Sequence, residues 1–389
     1  MNDVYHSLKE LIPANGASVD WSRIMQSGLA PWLKQMSETP QNPKWHGEGD
    51  VLTHTKMVCE CLINSADWQA QNRPRQEMLF IAALLHDIGK TTCTRTEAGT
   101  LISPYHTAIG DRMARTLLWR DLELCGTYEN RQFRETVCAL IRYHSVPHHF
   151  FDENAPERKV VQLASAGNLI PGYSNELLAI LAEADIKGRT AEDTYSRLEH
   201  VAYFREVSKE ADCFENPAVF HSDFSRYAYL SGCNIALGQE LYDDTWGAVI
   251  LLAGLPGTGK DYYANRNYSD LPMVSLDVLR KEMGISPVGP QGEIVNAAQK
   301  QAKEYLRKKK PFVFNATNVT PDIRQKQIKL FMNYKASVKI VFLETTWDEM
   351  LRRNQNRAEV VPESAINNIL EKLVVPNVCE AHEVEWVLT

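Results

Sequence analysis

The segment that most constrains the fold is an apolar run followed at once by a glycine-rich loop. Ala248 to Ala253 reads AVILLA, and residues 254–261 read GLPGTGKD before a polar stretch typical of a helix begins. Glycines let backbone amides surround a phosphate at the start of a helix, and the lysine of such a loop reaches the β- and γ-phosphate oxygens of a nucleotide. The pattern predicts a buried parallel strand, a nucleotide-binding loop and an α/β domain around them.

The chain changes character along its length, which predicts two domains. Apolar residues recur at helical spacing, without a strand signal between them, in 51–63, 77–89, 106–118, 134–144 and 176–187. After Trp246, short apolar runs alternate with helical segments, which favours a mostly parallel sheet covered on both faces. We expect an all-helical domain at 1–225, a junction at 226–245 and an α/β domain at 246–389.

The composition excludes some classes of protein. A net charge of -7 argues against a protein that coats nucleic acid through many phosphate contacts, yet leaves room for an enzyme that grips a few phosphates. The basic run at 307–310 would suit such contacts, or is a solvated helix face. The 8 cysteines form no CxxC pair, which fits neither a zinc ribbon nor a disulfide framework. Without a membrane or targeting segment, we expect a cytoplasmic protein.

Ionisable side chains stand where the predicted helices present apolar faces to a core. Burying an imidazole or carboxylate is unfavourable unless something binds it, and a metal ion is one efficient partner. For any single residue, a satisfied core histidine or a solvated helix end is the alternative. Imidazole and carboxylate ligands suit manganese, iron, cobalt, nickel or zinc, and this set could hold two ions bridged by Asp87. The candidate ligands are His54, His86, Asp87, His106, His144 and Asp185.

The residues after the glycine-rich loop indicate which type of reaction the bound nucleotide takes part in. The next predicted strand ends as FVFNATN, without the carboxylate that motor ATPases use, which disfavours hydrolysis-driven motion. A kinase instead needs a base for an acceptor hydroxyl and cations for the transferring phosphoryl group. Asp277 in SLDVLR follows a short apolar stretch whose end would lie beside the loop, and Arg280 lies one helical turn further. A carboxylate at a helix N-terminus is the alternative explanation for Asp277.

Two arginines further along predict a lid over phosphates. LRRNQNR sets Arg353 and Arg357 four residues apart on one predicted helical face, although a surface ion pair between Arg353 and Glu349 is the alternative. Asp261 stands where such loops usually carry the Ser or Thr that contacts magnesium, and its carboxylate could bind the ion directly or through water. The predicted nucleotide-binding residues are Gly254, Pro256, Gly257, Thr258, Gly259, Lys260, Asp261, Arg353 and Arg357.

The helical half resembles the HD phosphohydrolase superfamily. The candidate ligands follow that family's order, H…HD…H…H…D, which implies that they carry its metals. Lys90 in HDIGK matches a lysine that the family often places near the substrate phosphate, although a cation at a helix C-terminus is the alternative. His46, His148 and His149 lie near the motif segments and would support the ligands.

The α/β half resembles the kinase domain of polynucleotide 5′-kinases over about residues 248–380. GLPGTGKD, SLDVLR, FNATN and RRNQNR followed by Val361-Pro362 occur in that family's order and spacing. The resemblance implies that Lys260 contacts the donor phosphates, that Asp277 is the general base, and that Arg280 binds the acceptor's 3′-side phosphate. It implies further residues on the donor phosphates or lining the site, namely Arg353, Arg357, Thr317, Asn318 and Arg324.

The whole chain resembles bacterial fusions of an HD phosphatase with a polynucleotide kinase, and HGEGDVLTHT at residues 46–55 is similar to their first HD motif. The resemblance implies removal of a 2′,3′-cyclic phosphate or 2′-phosphate from RNA ends. It also implies phosphorylation of 5′-hydroxyl RNA or DNA ends with ATP and Mg²⁺, so that a ligase acts next. Two alternatives stay open: an HD nucleotidase fused to a small-metabolite kinase, and a regulator whose ATP binding switches the HD site.

Overall fold

The computed structural model describes residues 8–285, 291–357 and 359–389. The chain divides into two compact units, Met1–Ala218 and Val219–Thr389. The boundary expected at residue 225 falls inside a helix of the second unit, Asp223–Leu230, and the expected junction at 226–245 lies wholly within that unit.

The first unit is built from helices, as the apolar spacing predicts. A π-helical turn occurs at Leu117–Asp121, and short 3₁₀ turns occur at Pro147–Asp152 and Ser165–Asn168. In chain order the α-helices are α1 (Trp21–Ile24), α2 (Ala30–Ser37), α3 (Val51–Ile63), α4 (Ala66–Ala70), α5 (Arg73–Leu85), α6 (Lys90–Cys93), α7 (His106–Thr116), α8 (Tyr128–Tyr143), α9 (Pro156–Ala164), α10 (Asn175–Lys187) and α11 (Thr194–Glu210).

Capping side chains set where several of these helices begin. Asp50 accepts a hydrogen bond from the backbone N–H of Thr53 at the start of α3, and Thr127 and Ser174 cap α8 and α10 in the same way. Helix α5 is buried on every side from Gln76 to Leu85, which makes it the central helix of the unit. No helix in the described part of the chain is long and apolar enough to cross a membrane.

A small hairpin interrupts the helical unit, so the expectation of helices alone is wrong at this point. Strands β1 (Arg95–Glu97) and β2 (Thr100–Ile102) pair antiparallel. The two residues between them, Ala98 and Gly99, both have positive φ, which is typical of a tight hairpin turn. Strands of three residues are too short to show an alternating pattern in the sequence.

The second unit is a parallel sheet of five strands in the order β4-β5-β3-β6-β7, which confirms the predicted fold class. The predicted apolar runs become its three central strands, but β7 has charged residues alternating with apolar ones at the sheet edge and was not predicted. The strands are β3 (Ala248–Ala253), β4 (Met273–Ser275), β5 (Phe312–Asn315), β6 (Ser337–Glu344) and β7 (Glu383–Leu388).

Helices connect the strands of this sheet. Because all the strands are parallel, the loops that follow them meet at the carboxyl edge of the sheet. Helix α12 (Asp223–Leu230) precedes the first strand of the sheet, and the connecting helices are α13 (Lys260–Asn267), α14 (Leu276–Glu282), α15 (Gly292–Arg307), α16 (Pro321–Met332), α17 (Trp347–Gln355) and α18 (Glu363–Leu370).

Candidate metal centre and phosphate-binding loop

Helices of the first unit bring the predicted metal ligands together around Asp87, which follows α5. Its Oδ2 lies 3.3 Å from Nε2 of His86. Its Oδ1 lies 3.5 Å from Nε2 of His106, the first residue of α7, and 4.0 Å from Nε2 of His144, which ends α8. Three helix ends therefore converge on one carboxylate.

Asp185 on α10 completes the cluster from the opposite side. Its Oδ1 lies 3.0 Å from Nε2 of His54, and its Oδ2 lies 4.0 Å from Nε2 of His144. Nε2 of His54 is in turn 3.3 Å from Nε2 of His86. Overlapping groups of these side chains place their ligand atoms within 4.8 Å of one another, close enough to hold metal ions.

One ring nitrogen of each imidazole is already used by a carbonyl oxygen. Nδ1 of His86, His106 and His144 lies 2.7, 3.0 and 2.8 Å from the carbonyl three residues earlier in the chain. Nδ1 of His54 lies 3.1 Å from the carbonyl of Gly188. A donating Nδ1–H leaves the Nε2 lone pair facing the centre of the cluster. This is how proteins orient imidazole toward a metal ion.

The charges in the cluster also fit a cation. Asp87 and Asp185 are 1% and 6% exposed, and burial opposes the ionisation of both. Lys90 and His86 nevertheless hold the pKa of Asp87 well below its ordinary value, and His148, His54 and His86 do the same for Asp185. Burial lowers the pKa of His144 to about 3, so its imidazole is neutral. Among the residues that the structure describes, Oδ1 of Asp87 is buried and has no hydrogen-bond partner. A buried carboxylate oxygen that no donor contacts, with the neutral imidazole of His144 beside it, is the environment that a divalent metal requires.

A close approach of two backbones positions His106. Gly89 follows the HD dipeptide, and a Cβ built on it would lie 2.1 Å from the carbonyl oxygen of His106 and 2.5 Å from the N of Gly110. Only glycine leaves room for α7 to pass this close to the turn after α5. The glycine of HDIGK therefore allows His106 to reach Asp87.

Glu48 belongs to the cluster but is absent from the predicted set. Its Oε1 lies 3.0 Å from Nδ1 of His54 and 2.9 Å from Nδ1 of His46. Despite burial, these bonds hold the pKa of Glu48 below its ordinary value, and bonds to Asp185 and Glu48 raise the pKa of His54 to about 9. An acidic residue in a loop before a helix has no periodic signature, and only its place in HGEGD could have indicated it.

A cavity of about 660 Å³ opens beside the cluster, and Lys90 lies in its wall. The Lys90 ammonium lies 2.7 Å from Oδ2 of Asp87 and donates to Oε1 of Gln41 at 2.7 Å. It therefore links the candidate metal ligands to the space where a substrate would bind. The basic and imidazole side chains that line the cavity are His46, Lys90, His106, His148, His149, Arg189 and Arg197.

In the second unit, the glycine-rich loop joins β3 to α13 as the sequence predicts. Gly254 has a φ of +144°, and a Cβ there would lie 2.6 Å from the carbonyl oxygen of Leu343, so the tight passage beside β6 requires glycine. Lys260 begins α13, and its ammonium donates to the carbonyls of Gly254 and Leu255 at 3.0 and 2.8 Å. Thr258 donates to the Leu255 carbonyl at 2.8 Å, which closes the loop on itself.

The segment after β5 is tied to this loop. Asn315, at the end of β5, donates to Oδ1 of Asp261 at 2.6 Å, and Asn318 donates to the carbonyl of Leu252 at 2.7 Å. Arg324 is fully buried, with its Nε and Nη2 donating to the Glu380 carboxylate at 2.6 and 2.8 Å. It therefore holds this segment in place rather than facing a ligand, which differs from the implied position lining the site.

Asp277 lies in the first turn of α14, just after β4, where the sequence placed it. It pairs with Arg280, and its Oδ2 lies 3.3 Å from Nη2 of Arg357. Although burial opposes ionisation, Arg280 first and then Arg357 and Lys260 lower the pKa of Asp277. The carboxylate is thus ionised and within the field of the loop lysine.

The expectation that Arg353 and Arg357 share one helical face is wrong, because α17 ends at Gln355 and Arg357 lies beyond it. Arg353 makes the ion pair with Glu349 that the sequence offered as an alternative, at 2.6 Å. Its Nη1 would nevertheless lie only 3.2 Å from a Cβ at Gly259, beside the glycine-rich loop. Both arginines therefore reach the site, but from different segments.

Two family models match the chain at these sites. The HD domain model matches residues 51–166, and the AAA domain model matches residues 249–376. The chain joins an HD domain to an AAA-type P-loop domain. The HD match covers the candidate ligands from His54 to His144, whereas Asp185 lies outside it and rests on the geometry above.

Two curated relatives are similar to part of the chain. A multifunctional CCA protein of Hahella chejuensis is 28% identical over 165 residues, which are 42% of this chain and 34% of the relative. A protein of the same name from Shewanella frigidimarina is 25% identical over 189 residues, 47% of this chain and 41% of the relative. The alignments thus span between a third and about two fifths of these relatives.

Two solved structures match more distantly. One is described as a proposed kinase from Chloroflexus aurantiacus, with 14% identity, a TM-score of 0.32, and coverage of 37% of this chain and 86% of that one. The other is a gluconokinase from Sinorhizobium meliloti, with 18% identity, a TM-score of 0.28, and coverage of 37% and 83%.

Proposed function

We propose that the protein heals RNA ends. The HD domain would hydrolyse a 2′,3′-cyclic phosphate or 2′-phosphate, and the P-loop domain would transfer the γ-phosphate of ATP to a 5′-hydroxyl. The observation that carries the proposal is the presence, in one chain, of a buried His/Asp centre beside a cation-lined cavity and of a phosphate loop beside an ionised carboxylate.

In the HD domain, His54, His86, His106, His144 and the two carboxylates would hold one or two divalent ions of manganese, iron, cobalt, nickel or zinc. Such ions polarise a phosphoester and acidify water at neutral pH. The chain's own contribution is to orient the imidazoles of His86, His106 and His144 through their Nδ1–H bonds. Lys90 would offer its ammonium to a substrate phosphate in the cavity, since it already lies against Asp87.

In the P-loop domain, the backbone of 254–259 and the Lys260 ammonium would bind the phosphates of ATP. Lys260 would exchange its contacts to two loop carbonyls for phosphate oxygens. Asp261, to which Asn315 donates a hydrogen bond, would contact Mg²⁺ in place of the usual Ser or Thr. These contacts would stabilise the negative charge that develops while the γ-phosphate is transferred from ATP.

Asp277 would accept the proton of the 5′-hydroxyl, since its carboxylate is ionised. Arg280, paired with Asp277, would bind the phosphate on the acceptor's 3′ side. Arg353 and Arg357 would contact the donor phosphates. The polynucleotide acceptor is supported by the order of GLPGTGKD, SLDVLR, FNATN and RRNQNR, and a ligase would act on the healed ends.

Two assays with matched variants test the proposal. Labelled ATP with a 5′-hydroxyl oligonucleotide measures the kinase, and an RNA with a 2′,3′-cyclic end, titrated with divalent metals, measures the hydrolase. We expect Asp87→Asn to abolish hydrolysis and spare phosphoryl transfer, and Lys260→Ala to do the reverse, because the two sites share no residue.

Each contrary result overturns a defined part of the proposal. Transfer to a small metabolite, but not to the oligonucleotide, would replace the polynucleotide kinase by a metabolite kinase. Absence of transfer to any acceptor, together with ATP-dependent hydrolysis, would make the P-loop domain a regulator of the HD site. Loss of both activities in a folded Asp87→Asn protein would rule out independent sites.

A further inference from the structure

The cavity beside the metal centre has a second basic region that the proposed chemistry does not use. Arg189 lies between α10 and α11, four residues after Asp185, and Arg197 lies on α11. Both line the same cavity as Lys90 and His106. A volume of about 660 Å³ is larger than a single phosphate needs and is in the range of sites that hold a nucleotide.

Arg189 carries a buried donor without an acceptor. Its side chain is 10% exposed, and its Nη2 lies 2.8 Å from Oδ1 of Asp193. Its Nε is buried and has no hydrogen-bond partner within the described part of the chain. Leaving a guanidinium N–H unsatisfied costs free energy, so Asp193 satisfies this guanidinium, which belongs to a cavity-lining residue, only in part.

Arg197 is held rigidly at the same wall. Its Nε lies 2.9 Å from Oδ2 of Asp193, and its Nη1 donates to the carbonyl of His148 at 2.8 Å and lies 2.9 Å from Nδ1 of His149. One carboxylate thus aligns two guanidinium groups and neutralises only one of them. A pre-aligned arginine pair with net positive charge is well suited to a phosphate group.

An aromatic residue close in the sequence to this wall favours a nucleotide as the source of that phosphate. Phe151 lies two residues beyond His149 and is 54% exposed. Its ring stacks on Tyr203 at 4.9 Å between centroids, so it is fixed in orientation. Exposed, pre-oriented rings beside basic side chains are how proteins bind unpaired bases.

We propose that Arg189 and Arg197 bind a second phosphate, the phosphodiester one nucleotide inward from the end that the metal centre hydrolyses. This inference rests on the proposed function, since it assumes hydrolysis of a nucleic-acid end in this cavity. It makes the HD domain prefer ends that carry this second phosphate, in an oligonucleotide or a 5′-phosphorylated mononucleotide, over a mononucleotide without a 5′-phosphate.

The test compares three substrates with a 2′,3′-cyclic phosphate: a mononucleotide, the same with a 5′-phosphate, and a dinucleotide. Arg189→Gln should lower kcat/KM for the dinucleotide roughly 10- to 100-fold, the effect of one charge-assisted bond, and leave the unphosphorylated mononucleotide unchanged. The slope of log affinity against log salt for a 3′-phosphorylated dinucleotide should fall by about 0.7.

Arg205→Gln is the matched control. Arg205 lies on α11, as Arg197 does, and is also paired, with Asp67 and Glu183 at 2.8 and 2.9 Å, but does not line the cavity. It should leave all three substrates unaffected. If Arg189→Gln does not fold, Arg189→Lys serves in its place, because a lysine cannot offer the paired guanidinium donors.

The outcomes separate this inference from the proposed function. Equal losses on all three substrates would overturn it, and so would a wild-type protein that hydrolyses the mononucleotide, its 5′-phosphorylated form and the dinucleotide with the same kcat/KM. If the wild-type protein hydrolyses none of them, the proposed function fails. Calorimetric binding of the 3′-phosphorylated dinucleotide to wild-type and Arg189→Gln protein still decides whether the arginines bind phosphate.

Discussion

The glycine after the HD dipeptide offers a direct test of how the metal centre is assembled. In Gly89→Ala the new Cβ would lie 2.1 Å from the His106 carbonyl oxygen and 2.5 Å from the N of Gly110, where ordinary contact begins at 3.4 Å. Both obstacles are backbone atoms of α7, so no side-chain rotation relieves the clash. The start of α7 must move away by roughly 1 Å.

Two consequences follow from that displacement. Overpacking of this kind costs about 1–3 kcal/mol, and each kcal/mol lowers Tm by about 2–4 °C in a domain of this size. Nε2 of His106, now 3.5 Å from Oδ1 of Asp87, moves with the helix. Because a misplacement of about 1 Å can cost about 100-fold in rate, we expect a loss of that order in phosphoester hydrolysis, with weaker metal binding.

Calorimetric titration with Mn²⁺, hydrolysis of a 2′,3′-cyclic RNA end and thermal unfolding would measure these effects, and the kinase assay should stay unchanged. Gly28→Ala is the control in the same unit, because its Cβ would meet only Cδ2 of Leu122 at 3.1 Å, the end of a flexible side chain. A Gly89→Ala protein that binds metal and hydrolyses RNA ends like the wild type would refute the idea that this backbone approach positions His106.

Three further predictions concern other positions. Glu48→Gln should weaken Mn²⁺ binding by about 10- to 100-fold, because Gln cannot supply the charge that orients His54; unchanged calorimetric affinity would contradict this. Burial lowers the pKa of Lys260 to about 8, and the negatively charged phosphates of ATP should bind the protonated form. The affinity for ATP should therefore fall above pH 8, by up to about tenfold per pH unit, in the wild-type protein but not in Lys260→Arg. Titration with a fluorescent ATP analogue at several pH values would measure this. Arg324→Met should lower the free energy of unfolding of the second unit by about 3–5 kcal/mol, because it leaves the buried Glu380 carboxylate unpaired. Urea unfolding would measure this loss, and adding Glu380→Gln to the same protein should recover part of it.

Local sequence determines where many of the helices and strands lie, because apolar spacing, capping residues and glycines act between residues that are close together in the chain. The helices α3, α7 and α10 begin within one residue of their predicted apolar stripes, and β3 with its glycine-rich loop lies where the apolar run and GLPGTGKD predict. Helical periodicity, capping and the steric freedom of glycine are properties of neighbouring residues. The same applies to the identity of the candidate ligands, whose polar side chains stand out on apolar faces.

Tertiary structure decides which of these side chains meet. His54 and Asp185 are 131 residues apart in the chain, and only the packing of α3 against α10 brings them to 3.0 Å. Arg357 lies outside the helix that its spacing predicts, yet reaches Asp277 from a loop. Glu48 and Arg189 lie in loops without periodicity, so their places beside the metal centre became visible only in three dimensions. The physical reason is that periodicity in the sequence reports which face of one helix or strand is buried. A site, in contrast, depends on distances between side chains of different helices, strands and loops, and these distances are set only when the chain packs.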